Sequence, residues 1–284
     1  MAKLAFIGTG VMGAPMAGHL VAAGHDVVVY NRTQAKARAW AEKYGGTVAE
    51  TPAAAATGAD AMFACVGNDD DLASVTLGED GAFAAMRDDA VFVDHTTVSA
   101  AIARRLAAER ALVVDAPVSG GQAGAESGKL SIMCGGSAAA MAKAEPFMQA
   151  YAARIVHVGD AGAGQTTKMC NQIAIAGVIQ GVAESLRFAQ MSGLDLDKVL
   201  EAISGGAAQS WQMVNRWPTM AREEFDFGFA VDWMRKDLGL ALDEARRNGA
   251  VLPVAALVDQ FYADVQAMGG ARQDTSALVR RLPK

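Results

Sequence analysis

The chain has 284 residues, about half of them apolar (52%), and carries a net charge of −6. This length is enough for one or two domains with a large core. The acidic balance and the lack of any basic run argue against a nucleic-acid partner, and no apolar stretch has the length and flanks of a membrane span.

In chain order, the amino-terminal "MAKLAFIGTG" enters a strand directly, with no charged and apolar leader, so the expected location is the cytoplasm. Short apolar runs then alternate with alanine-rich helical patterns: "KLAFIG", "DVVVYN", "DAMFACV", "AVFVDHT", "LVVDAPV" and "SIMCGG" are the expected strands. Strands separated by helices need crossover connections, which favours a parallel, doubly wound sheet. After about residue 160 the strand signals stop. Helices are expected over roughly 165–192, 195–204, 208–221, 230–248 and 253–268, so the chain is read as an α/β Rossmann-type domain, a mostly parallel sheet over 1–162, joined by the long helix 165–192 to an all-α domain over 163–284.

"AFIGTGVMGAPMAGHL" places Gly8, Gly10 and Gly13 in the pattern G-x-G-x-x-G between a strand and a helix. Such glycines allow a tight turn and close backbone approach, so a dinucleotide's pyrophosphate can rest on the helix's amino end, and the whole run Gly8, Thr9, Gly10, Val11, Met12 and Gly13 is expected to contact it. The second strand ends in Asn31-Arg32-Thr33, with Lys36 a turn later, where an NAD site would carry a carboxylate. A guanidinium binds a 2′-phosphate that a carboxylate would repel, so NADP(H) is favoured and NAD(H) remains possible. The alternative is a solvated Arg and Lys opening a surface helix.

In "VVDAPVSGGQAGAESGKL", Asp115 ends a strand and Pro117 sets the turn. Ser119, Gly120 and Gly121 then offer a hydroxyl and unobstructed backbone N–H groups, a nest suited to a substrate carboxylate. In "GAGQTTKMCNQ", glycines at 162 and 164 let the backbone approach something closely, and Lys168 falls in the first turn of the long helix, a poor place for a cation. Lys168, Asn171 and Gln172 share one helical face. The alternative is a lysine reaching from the helix end to solvent.

These motifs, together with "FAVDWMRKDLGLAL" at 229–242, resemble the β-hydroxyacid dehydrogenases, a family that includes 3-hydroxyisobutyrate dehydrogenase, tartronate semialdehyde reductase and the glyoxylate and succinic semialdehyde reductases. The resemblance spans essentially the whole chain. It implies hydride transfer between NAD(P) and a small carboxylate-bearing aldehyde or 3-hydroxyacid, in a homodimer or homotetramer whose helical domain supplies the subunit interface. It implies further that Lys168 is the catalytic lysine, that Ser119, Gly120 and Gly121 hold the substrate carboxylate, and that Asn171, with Gln172 beside it, contacts the reacting end. Thr97 and Lys236 fall at cofactor contacts. Val66 and Gly67 do too, although Cys65-Val66-Gly67-Asn68 departs from the Met-Leu-Pro of many relatives, which leaves that loop's contacts open.

A lysine suits this reaction if its proton can be exchanged near neutral pH, and both desolvation and the helix's positive end disfavour the ammonium. The rival functions are an imine reductase-like enzyme, which usually lacks this lysine, a 6-phosphogluconate-type decarboxylating enzyme, which has a longer helical domain, and a non-catalytic dinucleotide-binding module. No His, Cys or carboxylate spacing suggests a metal site. Cys65, Cys134 and Cys170 are expected as small buried hydrophobes. His95 is expected to act from behind the site, and Trp211, Trp217, Trp233, Met213 and Phe229 as core or subunit contacts, with Trp211 or Phe229 the best placed to line a substrate pocket.

Overall fold

The computed structural model describes residues 1–283. Two compact units divide at Lys168/Met169. The first unit runs β1 (Lys3–Ile7), α1 (Gly13–Ala22), β2 (Asp26–Tyr30), α2 (Gln34–Tyr44), β3 (Thr47–Val48), α3 (Pro52–Ala56), β4 (Ala61–Ala64), α4 (Asp69–Leu77), β5 (Val91–Asp94), α5 (Ala100–Glu109) and β6 (Val113–Asp115). It continues with β7 (Val118–Ser119), α6 (Gly121–Glu126), β8 (Leu130–Gly136), α7 (Ala138–Met148) and β9 (Ala152–Gly159).

The sheet order is β3-β2-β1-β4-β5-β6-β8-β7, with β9 paired to β8. β1 to β6 are all parallel, and β8 runs antiparallel to both β6 and β7. Alternate residues explain why these strands read as unbroken apolar runs. Leu4 and Phe6 face one core with Val27, Val29, Phe63 and Val93, while Ala5 and Ile7 face the other with Met62, Ala64 and Phe92. Both faces are covered by helices, so neither side of a strand can be polar. The reversal of strand order lies between β1 and β4, and ligands of open α/β sheets bind beside such a point, at the carboxyl ends of the strands.

Three strands escaped the sequence expectation. β3 and β7 are two residues each, too short for a period to register. β9 lies largely exposed along its length and therefore shows no core-facing alternation.

The helix α8 (Ala163–Met191) contributes its first residues to the first unit and the rest to the second. It ends before Gly193, whose φ of 67° fits the left-handed closure of a helix carboxyl end. α9 (Leu196–Ile203), α10 (Trp211–Ala221), α11 (Val231–Asn248) and α12 (Pro253–Ala267) complete the second unit. Its core holds Ile179, Leu186, Trp217, Met234, Leu238 and Tyr262. Of the aromatic and Met positions expected as core or subunit contacts, Trp217 and Met213 are buried, but Trp211, Trp233 and Phe229 stand exposed. Helical spacing places residues on a face; it does not say how wide the covered stripe is.

Candidate active site

At the carboxyl end of β1 each of the three glycines answers a different constraint. Gly8 has φ of 98° and a Cβ there would overlap the Cys65 carbonyl oxygen. A Cβ on Gly13 would overlap the Gly8 carbonyl oxygen and press on the Phe6 ring, so this glycine lets α1 pack on the sheet. A Cβ on Gly10, by contrast, would meet no atom within 4 Å. Gly10 and Val11 are exposed, Met12 is half-buried, no side chain caps α1, and the buried Thr9 hydroxyl has no hydrogen-bond partner. An open backbone turn at a helix amino end, beside an unpartnered hydroxyl, fits a dinucleotide's diphosphate.

At the end of β2, Asn31 Oδ1 accepts from the Thr9 N–H at 3.0 Å and its amide donates to Thr33 O at 3.1 Å, so Asn31 braces the glycine turn. The Arg32 side chain is 82% exposed and pairs with Asp71 Oδ1 at 2.6 Å. Thr33 is exposed, and Lys36 lines a cavity of about 240 Å³ that reaches Thr9 and Trp40. The loops after β4 and β5 are tied together, since the Val66 N–H donates to Thr96 Oγ1 at 3.0 Å; Gly67 and Thr97 in these loops are half-buried.

The start of α8 is held by a carboxylate. Asp115 accepts from the Gly162 N–H at 2.7 Å on one oxygen and from the Gln165 N–H at 2.8 Å on the other. A Cβ on Gly164 would overlap the Asp115 carbonyl oxygen and crowd that of Met133. Gly164 thus serves a close approach to the protein's own strands β6 and β8, while Gly162, with φ of 90°, lies against Ala100 and Arg104 of α5. Burial pushes the Asp115 carboxyl up to about 6, against the pull of these N–H donors. The anion under the helix start offsets the positive end of the helix.

Lys168 does not reach for solvent. It is 8% exposed, and its Nζ donates to Val118 O at 3.0 Å. The amine therefore sits at the residue preceding Ser119-Gly120-Gly121. Ser119 is half-buried, Gly120 and Gly121 have φ of 131° and 60°, and a Cβ on Gly121 would meet nothing within 4 Å. The first unit thus sets a buried amine beside an open, hydroxyl-bearing turn.

His95 lies behind this arrangement. Its Nδ1 is 2.7 Å from Ala116 O and its Nε2 is 2.9 Å from the Tyr151 hydroxyl, while burial holds the imidazole down to about 4. Both ring nitrogens are engaged, which makes it a structural residue. Two neighbours passed unnoticed in the sequence. Gln165, wholly buried, bonds to both sides of Thr97 through its amide. Asp94, at the end of β5, accepts from the Thr96 N–H at 2.9 Å, and its other oxygen has no hydrogen-bond partner. Gln165 is one helical turn before Lys168 on the same face, so the spacing that picked out Asn171 and Gln172 would have found it in the other direction.

In the second unit, Asn171 Nδ2 donates to Gln172 Oε1 at 2.8 Å, and Gln172 Nε2 donates to Asp237 Oδ2 at 2.7 Å. Lys236 Nζ lies 3.2 Å from Asp237 Oδ1 and 5.8 Å from the centre of the Trp233 ring. Asp237 is 2% exposed, and this buried carboxylate is the hub that links Asn171, Gln172 and Lys236. The cysteines correct the expectation of three buried hydrophobes. Cys134 is buried, but Cys65 is half-buried and Cys170 exposed, since two residues past Lys168 is roughly 200° around the helix. Among the described residues no group of three or more His, Cys, Asp or Glu side chains could hold a metal, and no helix is long and apolar enough to cross a membrane.

Residues 3–159 match the family model for the NAD-binding domain of 6-phosphogluconate dehydrogenase, and residues 162–282 match that described as NAD-binding of NADP-dependent 3-hydroxyisobutyrate dehydrogenase. The chain belongs to the β-hydroxyacid dehydrogenase family. It is an oxidoreductase of that family, with NAD(P)-binding domains. It is 62% identical to an uncharacterized oxidoreductase of Shewanella frigidimarina, over 100% of this chain and 99% of the relative. It is 35% identical to the 2-hydroxy-3-oxopropionate reductase of Escherichia coli, over 99% and 97% of the two chains. Among solved structures, the 3-hydroxyisobutyrate dehydrogenase of Mycobacterium tuberculosis with L-serine superimposes with a TM-score of 0.89 at 32% identity, covering 100% of both chains.

Proposed function

We propose that this protein interconverts a small carboxylate-bearing semialdehyde and its 3-hydroxyacid, with NADP(H) as the preferred hydride carrier and Lys168 as the proton donor and acceptor. The observation that carries this reading is the buried Lys168 amine, bonded to the carbonyl of the residue next to Ser119. A bound dinucleotide would lie on the glycine turn 8–13, with Arg32 reaching the 2′-phosphate, and supplies a hydride to a carbonyl carbon when reduced. Ser119 and the N–H groups of Gly120 and Gly121 hold the substrate carboxylate, so the aldehyde is oriented through its non-reacting end. Lys168 gives its proton to the oxygen during reduction and removes it during oxidation.

Asn171 orients the reacting oxygen. Gln172 and Asp237 hold the Asn171 amide through the hydrogen bonds already described, and Lys236 lies at the same carboxylate. The relatives named for 2-hydroxy-3-oxopropionate and 3-hydroxyisobutyrate support a substrate of this size and charge. Exposed Phe188, Met191, Val254 and Leu257 on α8 and α12 support a homodimer or larger homo-oligomer built on the second unit.

The deciding assay follows NADPH absorbance as the purified protein meets a panel of semialdehydes, with Lys168→Ala beside the wild type. The variant should lose roughly 10²–10⁴ in kcat, the usual contribution of a positioned acid or base, while keeping its NADPH affinity. In the oxidative direction the wild-type rate should rise with the loss of a proton from an amine, and this limb should vanish in the variant. Wild-type turnover by Lys168→Ala refutes the mechanism.

A further inference from the structure

We propose that Gln165 is a positioning residue of the cofactor site: its side-chain amide clamps the peptide groups on both sides of Thr97 and locks that loop to the helical turn that carries Lys168. Nε2 donates to Thr96 O at 2.7 Å and Oε1 accepts from the Val98 N–H at 3.1 Å. The residue between these two peptide groups is Thr97, which is held in register without being touched by either bond. The Gln165 backbone N–H is itself anchored on Asp115, and Thr96 Oγ1 accepts from Val66 N–H in the loop after β4. One wholly buried residue thus connects, through its backbone N–H, the strand end at Asp115 and, through its side chain, the loop after β5, which Thr96 ties to the loop that contains Val66 and Gly67.

The side-chain chemistry is specific to this task. A carboxamide presents one donor and one acceptor in a plane to a donor and an acceptor of the backbone without depending on a titrating proton. A position that needed packing alone would be filled more cheaply by leucine, because a buried amide costs stability unless both its ends are satisfied. Satisfied at both ends, it makes a rigid support of the kind a binding site needs behind its contact residues. Lys168 follows three residues later on the same helical face, so the same clamp sets where the amine stands relative to Thr97. The inference rests on the reading of Thr97 as a cofactor contact.

The test reads cofactor affinity directly, by the fluorescence of NADPH on binding, so it does not depend on turnover. Gln165→Leu should weaken NADPH about tenfold, the equivalent of one well-placed hydrogen bond. In a Thr97→Ala background the same substitution should add less than about twofold, since residues that act as one unit are not additive. Gln165→Glu gives a second view: a glutamate can accept from Val98 N–H but can donate to Thr96 O only when protonated. Its NADPH affinity relative to wild type should therefore recover as the pH falls. Amide exchange at Val98 should be slow in the wild type and accelerate in Gln165→Leu.

Native NADPH affinity in Gln165→Leu overturns the proposal, as does full additivity with Thr97→Ala. If Gln165→Leu does not fold, a Gln165→Glu affinity ratio that is flat with pH overturns it instead. A wild type with no NADPH affinity also overturns it. A protein that binds NADPH with the predicted variant pattern but reduces no semialdehyde upholds the Gln165 role and refutes only the proposed function.

Discussion

Asp94→Asn replaces one carboxyl oxygen with an NH₂ group and leaves the shape of the side chain unchanged. The oxygen that accepts from the Thr96 N–H at 2.9 Å has a counterpart in asparagine, and the oxygen that is exchanged is the one without a hydrogen-bond partner. Burial, with a smaller contribution from the neighbouring Asp115, pushes the Asp94 carboxyl from 3.8 up to about 7. Between those two values the folded protein binds more protons than the unfolded chain, so this group makes the wild type less stable as pH rises through that window, with no further change above it. The span from 3.8 to about 7 corresponds to a difference on the order of 4 kcal/mol. Asparagine cannot titrate and escapes the whole effect.

His95 has the opposite sign. Burial lowers it from 6.5 to about 4, so its contribution to stability rises with pH between those values. It is present in both proteins and cancels from their difference. Urea unfolding of both proteins, followed by circular dichroism from about pH 4.5 to about pH 8.5, should therefore show the variant gaining on the wild type as pH rises and levelling off above neutrality. A stability gap that is flat with pH, or that closes toward alkaline pH, refutes the assignment of a raised pKa to Asp94.

The cofactor turn can be dissected by two alanines: Gly10→Ala should keep the melting temperature and weaken NADPH at least about tenfold, while Gly13→Ala, whose Cβ would overlap the Gly8 carbonyl, should lower the melting temperature itself. Equal effects of the two on melting would contradict the open space over Gly10. Arg32→Asp should weaken NADPH about tenfold or more and leave NADH unchanged or improved, because the lost charge-assisted bonds exist only for the 2′-phosphate. Conversely, Asp71→Asn frees the guanidinium from its 2.6 Å partner and should tighten NADPH; unchanged affinity in both variants removes Arg32 from the site. Ser119→Ala should raise KM with little change in kcat, since the hydroxyl binds a non-reacting group, and neutral esters of the substrate should turn over poorly. Equal kcat/KM for an acid and its ester would contradict the carboxylate nest.

The sequence by itself determined what depends on short-range periodicity and on residues with special backbone freedom. Unbroken apolar runs, glycines at 8, 10 and 13, and long helical patterns after residue 160 are local signals, and each corresponds to an element of the structure. The triplet Lys168, Asn171 and Gln172 was legible for the same reason, because residues three and four apart on a helix share a face. Tertiary structure decided which groups meet across the chain. Asp115 looks in sequence like a strand end before a proline turn, yet 47 residues later its oxygen is found under the start of α8. Gln165 joins to Thr96 across 69 residues and Gln172 to Asp237 across 65, distances over which no pattern in the chain can carry a hydrogen bond. Burial was decided in the same way. Lys168 lost its route to solvent, His95 became a neutral core residue and Trp211 remained exposed because of what folds over each position, and desolvation depends on that cover alone.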